Sequence, residues 1–407
     1  MTSNSKALVC GGGISGIITA LHCHKIGLDC EIHETSNSIG GILQDWKVDG
    51  DWYFRNCQYL PADANWFGLL PKRELYSFPL SYGSYTDLFG KTCVFKGFSG
   101  PVYPGPAFTE GLRYVNGDSL ADRLNAYPDF IAEPLVKWVE RTGLCPKKLH
   151  HSNALGLMIS RTYPLLSAEY IYSLKAKDER ANNLYGLPRN QLGLSSPYSV
   201  LPRLGYTRYF NELALSEEGK NISITTKSTV MAREITGSEN QASDGLMSQF
   251  FIWTGDPSPL LRHLKHYSLD SPTLRMRNIV MKWSGRYLAE PFYIQVYSQY
   301  SPITRIFIYH NKVTVECFDN DVPMKTVLLD CLDIMQAFLG SLEAPDCYYE
   351  FKEKRHSLLS LRDYEILEDF AMNPPLPNLI ASPWHQYART SKIDHIINAI
   401  DCLKQES

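Results

Sequence analysis

Six residues near the start of the chain constrain it more than anything else: Gly11-Gly12-Gly13-Ile14-Ser15-Gly16. Before them, Lys6-Ala7-Leu8-Val9-Cys10 is a short apolar run of the kind that forms a strand buried on both faces. After them, Ile17 to Lys25 reads as a helix, stopped by Gly27. Asp29 to Glu34 reads as a second strand. A strand, a glycine turn, a helix and a strand within about thirty residues form a dinucleotide-binding unit, and each glycine has a task in it. Gly11 turns the chain sharply, Gly13 lets a pyrophosphate approach the backbone, and Gly16 lets the helix lie close on the strand. The first N–H groups of the helix, at Ile14 and Ser15, and its dipole favour an anion. Glu34 follows the turn by about twenty residues, where a carboxylate accepts hydrogen bonds from ribose hydroxyls and disfavours a 2′-phosphate. The turn therefore suits FAD or NAD rather than NADP.

The chain of 407 residues is long enough for two or three structural units. Its net charge of −3 argues against a general nucleic-acid binder, which carries a basic excess. None of the 10 cysteines forms a C-x-x-C pair, so they read as reduced thiols of a cytoplasmic protein. No apolar run reaches the ~18 residues that span a bilayer, so no integral membrane segment is expected. His22 and His24 do not share a helix face, and His263 and His266 lack a third ligand, so no metal site is expected.

The fold class expected is α/β. A discontinuous Rossmann-type domain is assembled from residues 1–66, 203–262 and 371–407. Residues 67–202 form a helical and irregular insertion, and 263–370 an antiparallel sheet that bounds the substrate cleft. Helices are expected at 131–141, 168–177, 206–215, 327–342 and 393–403. Strands are expected at 222–226, 250–254 and 376–381, with alternation across 279–315 marking the antiparallel sheet.

The stretch from Ala7 to Gly41 resembles the FAD-binding N-terminus of the amine oxidase and UDP-galactopyranose mutase superfamily. There a segment like Glu34-Thr-Ser-Asn-Ser-Ile-Gly40-Gly41 carries the chain back past the cofactor. Three further segments resemble the mutase: Phe251-Ile252-Trp253-Thr254-Gly255, Pro202-Arg203-Leu204-Gly205-Tyr206-Thr207 and Pro302-Ile303-Thr304-Arg305-Ile306. The resemblance implies an FAD enzyme with Gly40, Gly41, Thr254 and Gly255 beside the cofactor. It also implies a cation at Arg305 near the flavin and substrate. The family reaction is an isomerisation without net redox change, in which a nucleotide sugar is held on reduced flavin while its ring opens and recloses.

The chain departs from that pattern in three places. A substrate-side arginine falls near Pro197, a Gly-Ala-His segment reads Asn56-Cys57-Gln58-Tyr59, and a C-terminal Gly-Arg element reads Ala381-Ser382-Pro383-Trp384. Arg203, Tyr387 and Arg389 are candidates to replace the lost diphosphate contacts, and Trp253 and Trp384 to wall the cleft. Two other readings stay open: an oxidoreductase of the amine oxidase or protoporphyrinogen oxidase type, transferring hydride to flavin N5, and a non-catalytic flavin-binding scaffold. The expected partner is a small-molecule substrate, with a nucleotide sugar foremost. Reduction by NAD(P)H and assembly into a homo-oligomer both stay open.

Overall fold

A computed structural model describes residues 6–62, 64–79, 81–96, 113, 115–159, 168–185, 198–214, 216, 222–237, 249–284 and 288–405. Pro197 lies outside them. Five parallel strands form the first sheet: β1 (Lys6–Cys10), β2 (Asp29–Glu34), β10 (Ser223–Thr226), β11 (Gln249–Trp253) and β17 (Leu379–Ala381). Their order is β10-β2-β1-β11-β17. Alternation along the strands splits the core between two faces. Ala7, Val9, Phe250 and Ile252 join Ala20 and Cys23 of helix α1 (Ile14–Lys25) and Ile396 and Ile400 of α12 (Arg389–Gln405). Cys10, Phe251 and Trp253 face the other way. There they meet α8 (Ala232–Gly237), α9 (Ser258–Leu264) and α11 (Leu361–Met372).

Helices α1 and α12 run side by side in the same direction. Near their C-terminal ends, His22 Nε2 lies 2.8 Å from Asp401 Oδ1 and the Lys404 ammonium donates to the Ile26 carbonyl at 3.0 Å. Both N-termini therefore emerge at the carboxyl edge of the parallel sheet, where ligands bind in open α/β sheets.

Seven strands form the second sheet: β7 (Ser81–Thr86), β8 (Cys93–Lys96), β12 (Thr273–Lys282), β13 (Phe292–Tyr297), β14 (Ile303–Tyr309), β15 (Lys312–Phe318) and β16 (Cys347–Ser357). Their order is β16-β12-β15-β14-β13-β7-β8. On one face, Ile306, Ile308, Val313, Val315 and Cys317 pack against Val327, Cys331, Ile334 and Phe338 of α10 (Met324–Leu339). On the other, Tyr293, Tyr297, Phe307 and Tyr309 join the core that contains Ile14 and Ile17 of α1.

The remaining elements add Leu60, Phe78, Leu124, Ile131, Val200 and Tyr206 to that same core. A hairpin of β3 (Asp45–Val48) and β4 (Asp51–Phe54) is followed by a small sheet of β5 (Leu60–Pro61), β6 (Leu75–Pro79) and β9 (Tyr198–Pro202). Short helices complete the chain: α2 (Leu120–Asn125), α3 (Asp129–Glu140), α4 (Asn153–Gly156), α5 (Ala168–Lys177), α6 (Glu179–Leu184) and α7 (Tyr206–Ala214).

The architecture departs from the sequence reading in three ways. β7 and β8 are short strands of the kind expected up to about residue 120, but they are not part of a separate insertion at 67–202: they complete one edge of the large sheet. Ser-Tyr-Gly-Ser-Tyr-Thr buries Tyr82, Ser84 and Thr86, a small-and-aromatic alternation that an apolar pattern does not flag. The sheet is also not wholly antiparallel, because β13 pairs with β7 in parallel. Finally, α11 begins inside the stretch assigned to that sheet but packs Leu367 and Phe370 against the parallel one. All ten cysteines are free thiols. Among the described residues no helix is long and apolar enough to cross a membrane, and no cluster of three or more His, Cys, Asp or Glu is placed to hold a metal ion.

Candidate functional site

At the end of β1 the backbone of Gly11 takes φ +116°, a conformation that disfavours side chains, and its N–H donates to the His33 carbonyl at 2.8 Å. The turn leads straight into α1, whose N-cap is Gly13 and has no side-chain cap. A Cβ on Gly16 would lie 1.9 Å from the Gly11 carbonyl oxygen, so glycine there is required by protein packing alone. Gly13 is different. Its φ of −70° suits any residue, and a Cβ on it would meet no protein atom within 4 Å. Nothing in the protein's own packing asks for glycine there, and the bare backbone at the mouth of an uncapped helix leaves its first N–H groups room for an anion.

The other expected cofactor residues gather at this turn. Gly40 bridges Gly13 as a parallel partner, and its N–H donates to the Gly12 carbonyl at 2.7 Å. Gly40 and Gly41 both have positive φ, and a Cβ on Gly41 would press on Gly13 Cα at 3.2 Å. From the other side, the Thr254 hydroxyl donates to the Gly11 carbonyl at 3.0 Å and the Gly255 N–H to the Cys10 carbonyl at 2.9 Å. Glu34 closes the arrangement at the end of β2. One carboxylate oxygen accepts the Gly12 N–H at 2.6 Å, and the other accepts the Ser36 N–H at 2.8 Å. Ile14 is buried, whereas Ser15 keeps part of its surface at the helix mouth.

Arg305 sits elsewhere, on β14, with 5% of its surface exposed. Its guanidinium pairs with the carboxylate of Glu316, which is fully buried on β15. Burial works against the charge of Arg305, but Glu316 and Tyr293 hold its pKa above the ordinary value. Glu316 also accepts the Cys57 N–H at 2.7 Å, and the Thr314 hydroxyl donates to the Phe54 carbonyl at 2.7 Å. The ion pair therefore pins the Phe54–Cys57 segment to the large sheet, and the charge of Arg305 is balanced from within the protein.

Of the remaining candidates, Tyr387 is taken up by structure: its hydroxyl bonds Asn153 and the Ser357 carbonyl and accepts the Leu359 N–H at 3.3 Å. Arg203 stacks on Tyr76, with 5.4 Å to the ring centroid. Trp253 is a core residue, 5% exposed, while Trp384 donates its ring N–H to the Gly255 carbonyl at 2.8 Å and so supports the cofactor turn from behind. Arg389, the first residue of α12, bonds the Gln58 side chain and donates to the Tyr59 carbonyl at 3.3 Å.

The sequence reading does not single out Glu316 or Lys392. Glu316 was within reach. The two-residue connection His310-Asn311 between β14 and β15 sets Tyr309 opposite Lys312 and Phe307 opposite Thr314, and so places Arg305 opposite Glu316. Lys392 lies one helical turn from Arg389, and burial followed by repulsion from Arg389 lowers its pKa to about 8. No local pattern distinguishes it from a solvated lysine.

No family model matches the chain, and no curated protein does. Solved structures do. Reduced UDP-galactopyranose mutase superposes with a TM-score of 0.66 at 12% identity, over 99% of this chain and 96% of that one. The chain has the fold of UDP-galactopyranose mutase. Putrescine oxidase bound to putrescine shares it with a TM-score of 0.56 at 13% identity, over 98% of this chain and 99% of that one. The fatty acid isomerase of P. acnes that produces CLA follows with 0.52 at 11%, over 99% of both chains. A fold shared by a mutase, an oxidase and an isomerase does not choose among them; the site has to.

Proposed function

We propose that the chain is an FAD-dependent enzyme that isomerises a nucleotide sugar or related glycan precursor with the help of its flavin. The observation that carries the cofactor is Gly13, a glycine whose freedom from a side chain serves no protein contact, set at the uncapped mouth of α1. In this reading Gly11, Gly13, Ile14, Ser15 and Gly16 hold the pyrophosphate, Glu34 the adenosine ribose, and Gly40, Gly41, Thr254 and Gly255 the backbone around them. Residues 1–66, 203–262 and 361–407 supply the cofactor domain. The flavin supplies a nucleophile and electron store that no side chain can offer. The protein positions it and the substrate and keeps water out. Arg305, which the mutase resemblance puts near the flavin, is buried and paired with Glu316, so in this reading it braces the Phe54–Cys57 segment and supplies no free charge to the reaction. What favours the isomerase reading over hydride transfer of the oxidase type is the resemblance of the segments at 202–207, 251–255 and 302–306 to the mutase.

The test is optical. The purified protein, reconstituted with FAD, is expected to show a flavin absorbance band. After anaerobic dithionite reduction, UDP-galactose or another UDP-sugar is expected to perturb the reduced spectrum and to be isomerised without consuming reductant. Oxygen consumption with an amine in place of this would establish the oxidase. FAD bound without any response to UDP-sugars or amines would leave the flavin-binding scaffold, and failure to bind FAD at all would sink every flavin-based reading.

A further inference from the structure

The short 3-10 helix Gly41–Leu43 is gripped from across the chain. The Asn56 side-chain amide, in a residue 2% exposed, donates to the Ile42 carbonyl at 2.7 Å. Behind it stands Asn278 of β12. Its amide nitrogen donates to the Asn56 side-chain oxygen at 3.4 Å, to the Arg55 carbonyl at 3.2 Å and to the Glu353 carboxylate at 2.7 Å. Glu353, on β16, also accepts from Arg55 Nε at 2.8 Å. The three groups facing the Asn278 nitrogen are acceptors, and so is the carbonyl facing the Asn56 nitrogen. The neighbours therefore fix the orientation of both amides. A relay runs from the large sheet, through two buried side chains, to the backbone one residue past Gly41.

Stability alone does not account for this relay. Asn278 is fully buried, and its own side-chain oxygen meets no donor among the described residues. A buried acceptor without a donor costs stability that an apolar contact would keep. What the amides add is a fixed distance and angle, which apolar packing leaves looser. The loop they fix bears directly on the glycine turn. The Gly40 N–H donates to the Gly12 carbonyl at 2.7 Å, and a Cβ on Gly41 would press on Gly13 Cα at 3.2 Å. A displaced Ile42 carbonyl is thus felt at Gly13. At the far end of the loop, the Asp45 carboxylate accepts the Thr207 N–H at 2.8 Å, so cutting the relay leaves the loop tied to α7.

We propose that Asn56 is a positioning residue that sets the Gly40–Gly41 loop, and with it the bound cofactor, at a fixed place relative to the large sheet. The inference rests on the FAD reading above. Asn56 acts through the Ile42 backbone and not by touching the flavin. It opens the segment Asn56-Cys57-Gln58-Tyr59, where this chain departs from the mutase pattern, so the device belongs to this chain's own residues.

Wild-type protein, Asn56→Asp, Asn56→Ala and Asn278→Ala are titrated with FAD between about pH 6.5 and 9, with circular dichroism to confirm that each is folded. A carboxyl introduced at position 56 is buried against a carbonyl oxygen, which raises its pKa toward this range. Protonated, it donates to Ile42 as the amide does; ionised, it cannot donate and repels the carbonyl. Asn56→Asp is therefore expected to bind FAD within about twofold of wild type at the acid end and about tenfold more weakly at the alkaline end. Asn56→Ala is expected to be weaker than wild type by the same factor at every pH, and Asn278→Ala by about threefold. Equal binding by all four proteins overturns the proposal and leaves the FAD reading intact. A loss in Asn56→Asp that matches Asn56→Ala throughout, with no recovery at the acid end, shows a structural effect only and overturns it as well. Should the variants at position 56 fail to fold, Asn278→Ala decides, and wild-type affinity there overturns the proposal. Wild-type protein that takes no FAD sinks the flavoenzyme reading and this inference together.

Discussion

At the scale of single residues, the glycine turn separates two reasons for the same amino acid. Gly16 is required by the protein's own packing and Gly13 is not; in the proposed reading Gly13 stays bare for the cofactor. Gly16→Ala forces a methyl to 1.9 Å from a carbonyl oxygen and is expected to cost about 3 kcal/mol or more, seen as a lower midpoint in denaturant melts. Gly13→Ala is expected to change stability by less than about 1 kcal/mol, the modest loss of a glycine cap, and yet to abolish retention of flavin. If both variants lose stability alike, the ligand-based reading of Gly13 is wrong. The Arg305–Glu316 pair yields a second test. Glu316→Ala strands a buried guanidinium and should destabilise the protein by about 3–5 kcal/mol, whereas Arg305→Met with Glu316→Leu should recover most of that. A double variant as unstable as the single one would show that the charges themselves are needed.

At the scale of elements, caps reach across the chain. The Asp45 carboxylate accepts the Thr207 N–H at 2.8 Å at the start of α7, and the Asp45 N–H donates to the Thr207 hydroxyl at 3.0 Å. Burial raises Asp45 to about 6, against the weaker pull of these backbone donors. A carboxyl raised in the folded state contributes stability that is full below its unfolded pKa and is lost as pH rises through the folded value. Stability should therefore fall between about pH 4 and 6 on this account, and Asp45→Asn should flatten that part of the profile in urea melts. Local capping was more legible. Ser119 and Asp122 form a reciprocal capping box at α2, and Ser360 accepts the Asp363 N–H at 3.1 Å at α11, both written as Ser-x-x-Asp in the sequence. β16 was hidden for another reason. Its run of Glu, Lys, Arg and His carries the charges that keep an edge strand from pairing with other chains, and those charges erase the alternation by which strands are read.

At the scale of the whole molecule, a histidine stack ties the segment around α4 to α11. His150 lies 3.4 Å from the Tyr364 ring and 4.2 Å from His151, while His385 meets Tyr364 edge-on. Burial lowers His150 to about 4, and lowers His151 and His385 as well. Depressed histidines contribute stability above their unfolded pKa that is lost as pH falls, the opposite sense to Asp45. Acid denaturation should begin below about pH 6.5, and His150→Gln should shift its midpoint downward. An unchanged midpoint would rule the stack out as its cause. The sequence by itself determined the first βαβ unit, the glycine turn with its acidic partner, and the pairing of β14 with β15, because each depends on residues close along the chain. Only the tertiary structure decided that β7 and β8 close the large sheet and that α11 packs on the parallel sheet. Those contacts join residues that are hundreds of positions apart or carry no local pattern, and they exist only once two parallel helices and two sheets fix the distances between them.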